Sequence, residues 1–529
     1  MKYVSFFAGH DANLTFHDTE TGKYHIIELE RLQKKRYFRL HVDNSPKEIR
    51  EILQRCAVIA QKYWGFPIGD YEAVIAMQTG WYGMNPQEMQ SIFGARRLIS
   101  HGLHHDCHAA STFFQSPYNE AIIISYDGGG DEEFFDIYHG KGKTITKVQN
   151  IRSDFGGGYL LCGSLIKEVA GASKHHLSLA GKLMGLCAYG CPIPEMVDAF
   201  ADFFVDRDYR KLAERTKLPL PNVDHPWQDA LNNIAFEGVE GYNVAATAQA
   251  GFEKAFFRLF DKVRKLYPTL PVCMTGGASL NVLVNEKIKT NYGVDVFVPP
   301  NPNDCGLSLG AMFMVVPPET ININVAYNGI PLLDSDELDS YVAKRNAVKT
   351  NKVELANLLK QGKIIGFVYG DSEVGPRALG NRSIVCDPSY PNMKNILNAK
   401  VKFREWYRPF APFCKKDDAS TFFDSRNFEN YEFMSYAPVV KNEWKDALPS
   451  ITHADGSARL QTVTANTHAH FYELLTEFNK ISKTKVLLNT SFNIRGNPIL
   501  TTIEDALYVL DTTELDYVVV EDWLFAKKV

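Results

Sequence analysis

Two imidazoles stand one helical turn apart in His104-His105-Asp106-Cys107-His108. The i, i+4 spacing puts His104 and His108 on one face of a helix. Two imidazoles on one face, with carboxylates nearby, form a donor set for a divalent transition metal. Tyr126-Asp127-Gly128-Gly129-Gly130 follows closely. Its glycines, Gly128 and Gly129 first, have the composition that brings backbone N–H groups against a phosphate. A metal and a phosphate cradle in one domain point to nucleotide chemistry.

The elements that would carry these residues read as α/β and duplicated. Lys2 to Ala8 is an apolar strand ending in Gly9-His10-Asp11, with strands Ala12–His17 and Lys23–Glu30 after it. The pattern returns at Ala121–Tyr126, Glu133–His139 and Thr144–Ile151, again with an Asp in the first turn. Two such units predict two similar halves facing each other across a nucleotide cleft. Pro271 to Thr275 then reads as a strand entering Gly276-Gly277-Ala278-Ser279-Leu280-Asn281. A helix starting there would aim free N–H groups at a nucleotide. Asp304 opens a helix over Leu307–Met314 and reads either as its N-cap or as a metal ligand.

In the second half, a strand over Lys363–Tyr369 enters a segment holding Arg377 and Ser383. Lys402, Arg408, Arg459, Asn489 and Ser491 follow in settings rich in Gly, Pro and Ser. Arg forks converging with Ser and Asn side chains suit phosphates and carboxylates. Val315–Thr350 has few clear elements and reads as the domain junction. The basic run Lys34–Arg39 reads as a solvated face, with an acidic substrate as the lesser reading. Gly140-Lys141-Gly142-Lys143-Thr144 contains GKT, but Ile137 stands where a P-loop needs Gly, and the segment sits in a hairpin.

The bulk numbers narrow the class. A chain of 529 residues implies two or three domains. With 45% hydrophobic and 22% charged residues it is an ordinary globular protein with large cores. A net charge of −5 gives no overall basic bias toward nucleic acid. No apolar run approaches a membrane span and no signal peptide is visible. Nine cysteines without a CxxC pair fit free thiols in a reducing cytoplasm.

Several long strings, in order over nearly the whole chain, resemble the nodulation-factor and antibiotic O-carbamoyltransferase family. They are HHDCHAAS at 104–111, AGKLMGLCAYG at 180–190, TGGASLN at 275–281, NDCGLSLGA at 303–311, EVGPRALGNRS at 373–383, VKFREWYRPFAP at 401–412 and LLNTSFNIRGNPI at 487–499. The resemblance implies an actin-like (duplicated RNase H-like) ATPase domain over 1–345, with bound metal. It implies a YrdC-like α/β domain over 346–529 that makes carbamoyl-adenylate from carbamoyl phosphate and ATP. The first domain would then pass the carbamoyl group to a substrate hydroxyl. Carried over, His104, His108, Asp127 and Asp304 match metal ligands, the metal being Fe(II) by resemblance. On donor type alone iron, zinc and manganese fit equally. Gly128, Gly129, Lys182, Gly276, Gly277 and Asn281 fall at nucleotide-contacting positions, with Mg2+ expected on ATP. Arg377, Lys402, Arg408, Arg459, Asn489 and Ser491 match the site for carbamoyl phosphate and nucleotide. His10 and Asp11, with Arg377, are the catalytic candidates, His10 lying near the acceptor.

Two departures stand out. Gly370-Asp371 replaces a common GR, and Ala8-Gly9-His10 lacks an acidic residue two before the histidine. The acceptor is expected to be a sugar or small natural product. The alternative is a hydroxymethylated base, such as 5-hydroxymethylcytosine, in phage-type DNA. The segments 153–176 and 206–241 are candidate acceptor walls. A homodimer is the candidate assembly. A hydrogenase-maturation carbamoyltransferase would carry CxxC zinc fingers, which this chain lacks. A non-enzymatic ATP-switch module would not need the Arg-rich second half.

Overall fold

The structure is a computed structural model that describes every residue except 43, 79–84, 172, 174, 219–232 and 529. Parts of both candidate acceptor walls, at 172, 174 and 219–232, therefore lie outside the described residues.

The expected duplication appears directly in the sheet topology. Strands β1 (Lys2–Phe7), β2 (Asn13–Asp18), β3 (Lys23–Glu28), β4 (Tyr71–Ala76) and β5 (Ala95–Ser100) form one sheet. Its order is β3-β2-β1-β4-β5, with β1, β2 and β3 antiparallel and β1, β4 and β5 parallel. Strands β6 (Glu120–Gly130), β7 (Glu133–Lys141), β8 (Thr144–Asn150), β9 (Val272–Thr275) and β10 (Val296–Phe297) repeat that order as β8-β7-β6-β9-β10. The directions repeat as well.

Strand alternation explains why both sheets are covered on two faces. In β1, Val4 and Phe6 enter one core while Tyr3 and Phe7 enter another. In β6, Ala121 and Ile123 join the core of Tyr3 and Phe7, so that core lies between the two sheets. Two helices fill it, His104–Gln115 and Leu307–Val315. The first carries the histidine pair, and the second follows Asp304. Both elements of the expected metal site are thus fixed by the shared core. The GKT segment lies in the β7–β8 hairpin, as its spacing implied.

The C-terminal part is a mixed α/β layer. Strands β11 (Val348–Lys349), β12 (Ile365–Val368), β13 (Arg382–Cys386) and β14 (Ala411–Lys415) precede a short pair, β15 (Phe423–Asp424) and β16 (Val439–Val440). Strands β17 (Gln461–Val463), β18 (Leu487–Ser491), β19 (Tyr517–Val520) and β20 (Trp523–Ala526) complete an eight-stranded sheet. Its order is β11-β20-β19-β12-β13-β18-β14-β17.

One buried clamp joins this sheet to the N-terminal part. Arg31 pairs with Glu28 at 2.8 Å and donates to Ser372 Oγ, Glu373 O and Gly375 O. Gly375 N–H returns a bond to Glu28 Oε2 at 3.3 Å. The loop that carries Arg377 is therefore held from the other side of the molecule.

Candidate metal centre and cation cluster

The histidine pair sits in the first turns of the helix His104–Gln115, where Asp131 Oδ2 accepts the His104 N–H at 2.6 Å. His108 Nε2 lies 3.1 Å from His104 Nε2 and 3.1 Å from Asp127 Oδ2. Asp304 Oδ1 is 3.4 Å from His108 Nε2 and 3.7 Å from His104 Nε2. One donor atom from each of the four lies within 4.8 Å of the others. The N-cap positions of the two consecutive helical turns are Asn303 and Gly306, and Asp304 turns its carboxylate toward the two histidines.

This arrangement fits a cation. Two imidazole nitrogens and two carboxylates are aimed at one point, with more acceptors than neutral imidazoles have protons to share. The charges register the same demand. Burial opposes a proton on His108, but the bonds to Asp127 and Asp304 outweigh it and lift its pKa to about 9. Burial would raise Asp127, yet His104 and His108 hold it well below the usual carboxylate range. A divalent transition metal satisfies all four donors at once.

His10 stands beside this quartet. Its Nε2 is 3.3 Å from Asp304 Oδ2 and its Nδ1 is 3.3 Å from Asp11 Oδ2. Burial lowers its pKa, but Asp304, Asp11 and Asp127 together raise it to about 10. Asn303 Nδ2 donates to Asp11 Oδ2 at 3.2 Å and fixes that carboxylate.

The Asp127-Gly128-Gly129-Gly130 run differs from the expected turn. Strand β6 continues through it to Gly130 with an irregular register against β7. The glycines serve close approach instead. A Cβ on Gly130 would lie 2.3 Å from His104 Cγ. Gly130→Ala is therefore expected to displace the His104 ring and weaken metal binding by at least about tenfold, the scale of losing a supporting contact. Metal content after dialysis, with the melting temperature as control, checks this. The Gly276-Gly277 loop packs on the same strand end, with Gly276 N–H bonded to Pro302 O at 2.7 Å. Asn281 caps the helix Val282–Tyr292 and exchanges amide bonds with Gln249 at 3.1 and 3.2 Å.

The second group of expected residues also converges. Lys402 donates to Ser491 O at 2.6 Å, to Asn493 O at 2.7 Å and to Ser491 Oγ at 3.2 Å. Asn489 spends its amide on Ala378 O and Gln461 Oε1, so it braces the Arg377 loop. Arg377 has no hydrogen bond or ion pair among the described residues. The Nε of Arg459 is likewise buried and unpartnered among them. Burial and the charges of Arg408 and Arg36 push Arg377 down to about 10. Burial, then Arg377, Arg404 and Arg408, hold Arg459 well below the usual arginine range. Burial and Arg404, Arg36 and Arg408 do the same to Lys402. Arg377, Lys402 and Arg459 depress or are depressed by neighbouring cations and have no carboxylate partner of their own among the described residues, which is the character of an anion site.

Three members of this cluster were not picked out by sequence reasoning. Arg404 and Glu405 lie inside the VKFREWYRPFAP string but carried no separate signal. Arg36 is exposed, in keeping with its reading as part of a solvated face, and its charge also bears on Arg377 and Lys402. Its neighbour Lys34 pairs with Asp505 at 2.8 Å. Lys182 reaches this cluster too, 2.9 Å from Glu405 Oε1.

Comparison with known families decides what these sites belong to. Residues 6–313 match the family model for the carbamoyltransferase N-terminus, and residues 356–527 match the model for the carbamoyltransferase C-terminus. The chain belongs to the carbamoyltransferase family. The nodulation protein NolO of Bradyrhizobium diazoefficiens is 32% identical, over 80% of this chain and 79% of its own. Nodulation protein U of Rhizobium tropici is 30% identical over 80% and 74%. Among solved structures, HypF of T. kodakarensis aligns with 59% of this chain and 48% of its own, at 14% identity and a TM-score of 0.35. As a carbamoyltransferase the protein is an enzyme. No helix of the described residues is long and apolar enough to cross a membrane.

Proposed function

We propose that this carbamoyltransferase is an ATP-dependent O-carbamoyltransferase with two half-reactions. Residues 346–529 activate the carbamoyl group, and residues 1–345 transfer it to a hydroxyl. The observation that carries the reading is the cation cluster around Arg377, whose guanidinium has no partner of its own among the described residues.

The chemistry asks for such a cluster. Water cleaves carbamoyl phosphate to carbamate and inorganic phosphate. A carbamate oxygen attacks the α-phosphorus of ATP, pyrophosphate leaves, and carbamoyl-adenylate results. Arg377, Lys402, Arg408 and Arg459 stabilise the phosphate charge that builds during this exchange. Arg forks match phosphate oxygens two at a time, and Lys402 acts as a point charge. The acceptor oxygen then attacks the carbamoyl carbon and AMP leaves.

In that second step His10 takes the hydroxyl proton, with Asp11 orienting its ring through Nδ1. His104, His108, Asp127 and Asp304 would hold a divalent metal, which when bound would supply Lewis-acid polarisation of a substrate oxygen. With Asp127 and Asp304 engaged as ligands, part of the carboxylate charge that holds a proton on His10 would be drawn off, while Asp11 keeps its contact with the ring. The acceptor is a hydroxylated small molecule, the class a compact site at His10 can reach without a basic surface for nucleic acid.

The test is ATP–pyrophosphate exchange with labelled pyrophosphate. Exchange that requires carbamoyl phosphate is expected. A folded, metal-loaded protein that exchanges nothing, or that exchanges equally without carbamoyl phosphate, would overturn the reading.

A further inference from the structure

Lys182 and Glu405 come from distant parts of the chain and meet in the interior. Lys182 lies on the helix Leu179–Leu186, and Glu405 lies in the segment that also holds Lys402, Arg404 and Arg408. Their side chains are 7% and 10% exposed, with Lys182 Nζ 2.9 Å from Glu405 Oε1. Lys182 also donates to Ser173 Oγ at 2.6 Å. Arg408 and Arg495 face the same carboxylate at 3.7 and 3.8 Å. The helix packs directly on this segment, since a Cβ at Gly185 would touch Pro409 and Tyr407 at 3.5 and 3.7 Å.

Glu405 is the one carboxylate paired with the cluster among the described residues. Arg377, Lys402, Arg404 and Arg459 form no ion pair there. A carboxylate in that place keeps Lys182, Arg408 and Arg495 from repelling one another while no ligand is present. It also competes with any phosphate, because like charges in a half-buried site repel strongly. A group that only positioned Lys182 would not need to sit among phosphate-binding arginines.

We propose that Glu405 is a resident stand-in for a substrate phosphate, and that Lys182 becomes a phosphate ligand of the cluster when a polyanion displaces that carboxylate. The inference rests on the reading of the cluster as the site for carbamoyl phosphate and nucleotide. Phosphate oxygens exchange for carboxylate oxygens on Lys182 and Arg408, with no bond made or broken beyond hydrogen bonds. Lys182 belongs to the part of the chain that carries the metal quartet.

The test titrates inorganic pyrophosphate into the full-length protein by calorimetry at fixed ionic strength. Glu405→Gln keeps the shape and removes the charge, and should tighten binding about tenfold. Lys182→Met should weaken it about tenfold, alone and in the Glu405→Gln background, with Lys182→Arg restoring most of the loss. Weaker or unchanged binding in Glu405→Gln overturns the stand-in, and this arm decides alone if Lys182→Met does not fold. Binding that depends on Arg377 but not on Lys182 overturns the proposal and leaves the anion site standing. Absence of pyrophosphate binding in the wild type overturns both.

Discussion

Arg377→Ala is expected to lower carbamoyl-phosphate-dependent ATP–pyrophosphate exchange about a hundred- to a thousandfold, the range for losing one preorganised charge-stabilising donor. The fold should not change. The Arg377 side chain makes no hydrogen bond or ion pair among the described residues, so its removal orphans nothing. Its loop is secured by other groups. Glu373 Oε1 accepts the N–H groups of Leu379, Gly380, Asn381 and Arg382 at 2.6, 3.1, 3.2 and 3.3 Å. Arg382 donates to the carbonyls of Tyr369, Asn381 and Gly370 at 2.7, 2.8 and 2.8 Å. Burial and two neighbouring cations lower Arg377 to about 10, which still leaves it charged at neutral pH. Deleting it relieves repulsion, so the melting temperature should hold or rise slightly. Initial exchange rates with a melting curve on the same preparation check both halves. Exchange within tenfold of wild type would remove Arg377 from the site.

The same string shows what a sequence reveals and what it hides. Glu373, Arg377 and Arg382 stand in one EVGPRALGNRS run and look alike as charged residues. The structure turns the first and last inward as braces and leaves the middle one without a partner. Residue type alone does not carry that difference, because it depends on which backbone groups the turn leaves unsatisfied. The duplicated topology was legible, since β1–β3 and β6–β8 are strand runs in the same order, each with an Asp after the apolar stretch of its first strand. The histidine pair was legible for a similar reason: i, i+4 on a helix is a local geometry. Asp304 was not settled, because an N-cap and a metal ligand ask for the same residue at the same place. The Asp127–Gly130 run was read as a turn, whereas the strand continues through it and packs Gly130 against His104. Glu405 was silent. Its partner Lys182 lies more than two hundred residues away, and no local pattern links them.

His108→Ala separates the two half-reactions. The His108 ring is 1% exposed, and its Nε2 faces His104, Asp127 and Asp304. Alanine leaves three donors around a hole that no neighbouring side chain fills with a ligand atom. Losing even an outer-shell partner typically costs ten- to a hundredfold in metal affinity, so losing a donor should cost at least about a hundredfold. Metal per chain after dialysis should fall well below stoichiometric. The wild type should gain stability with added metal, about 2.7 kcal/mol at a concentration one hundred times the Kd, and the variant should gain little. Carbamoyl transfer to a hydroxyl acceptor should fall at least about a hundredfold. ATP–pyrophosphate exchange should stay within a few-fold of wild type, because among the described residues Arg377, Lys402, Arg408 and Arg459 make no hydrogen bond or ion pair to the four metal-site residues. Stoichiometric metal in the variant would mean that the quartet is not the site. Parallel loss of exchange and transfer would mean that one site performs both steps. The Lys182–Glu405 contact would then be the place to look, since it is the buried ion pair that ties the helix of Lys182 to the cation cluster.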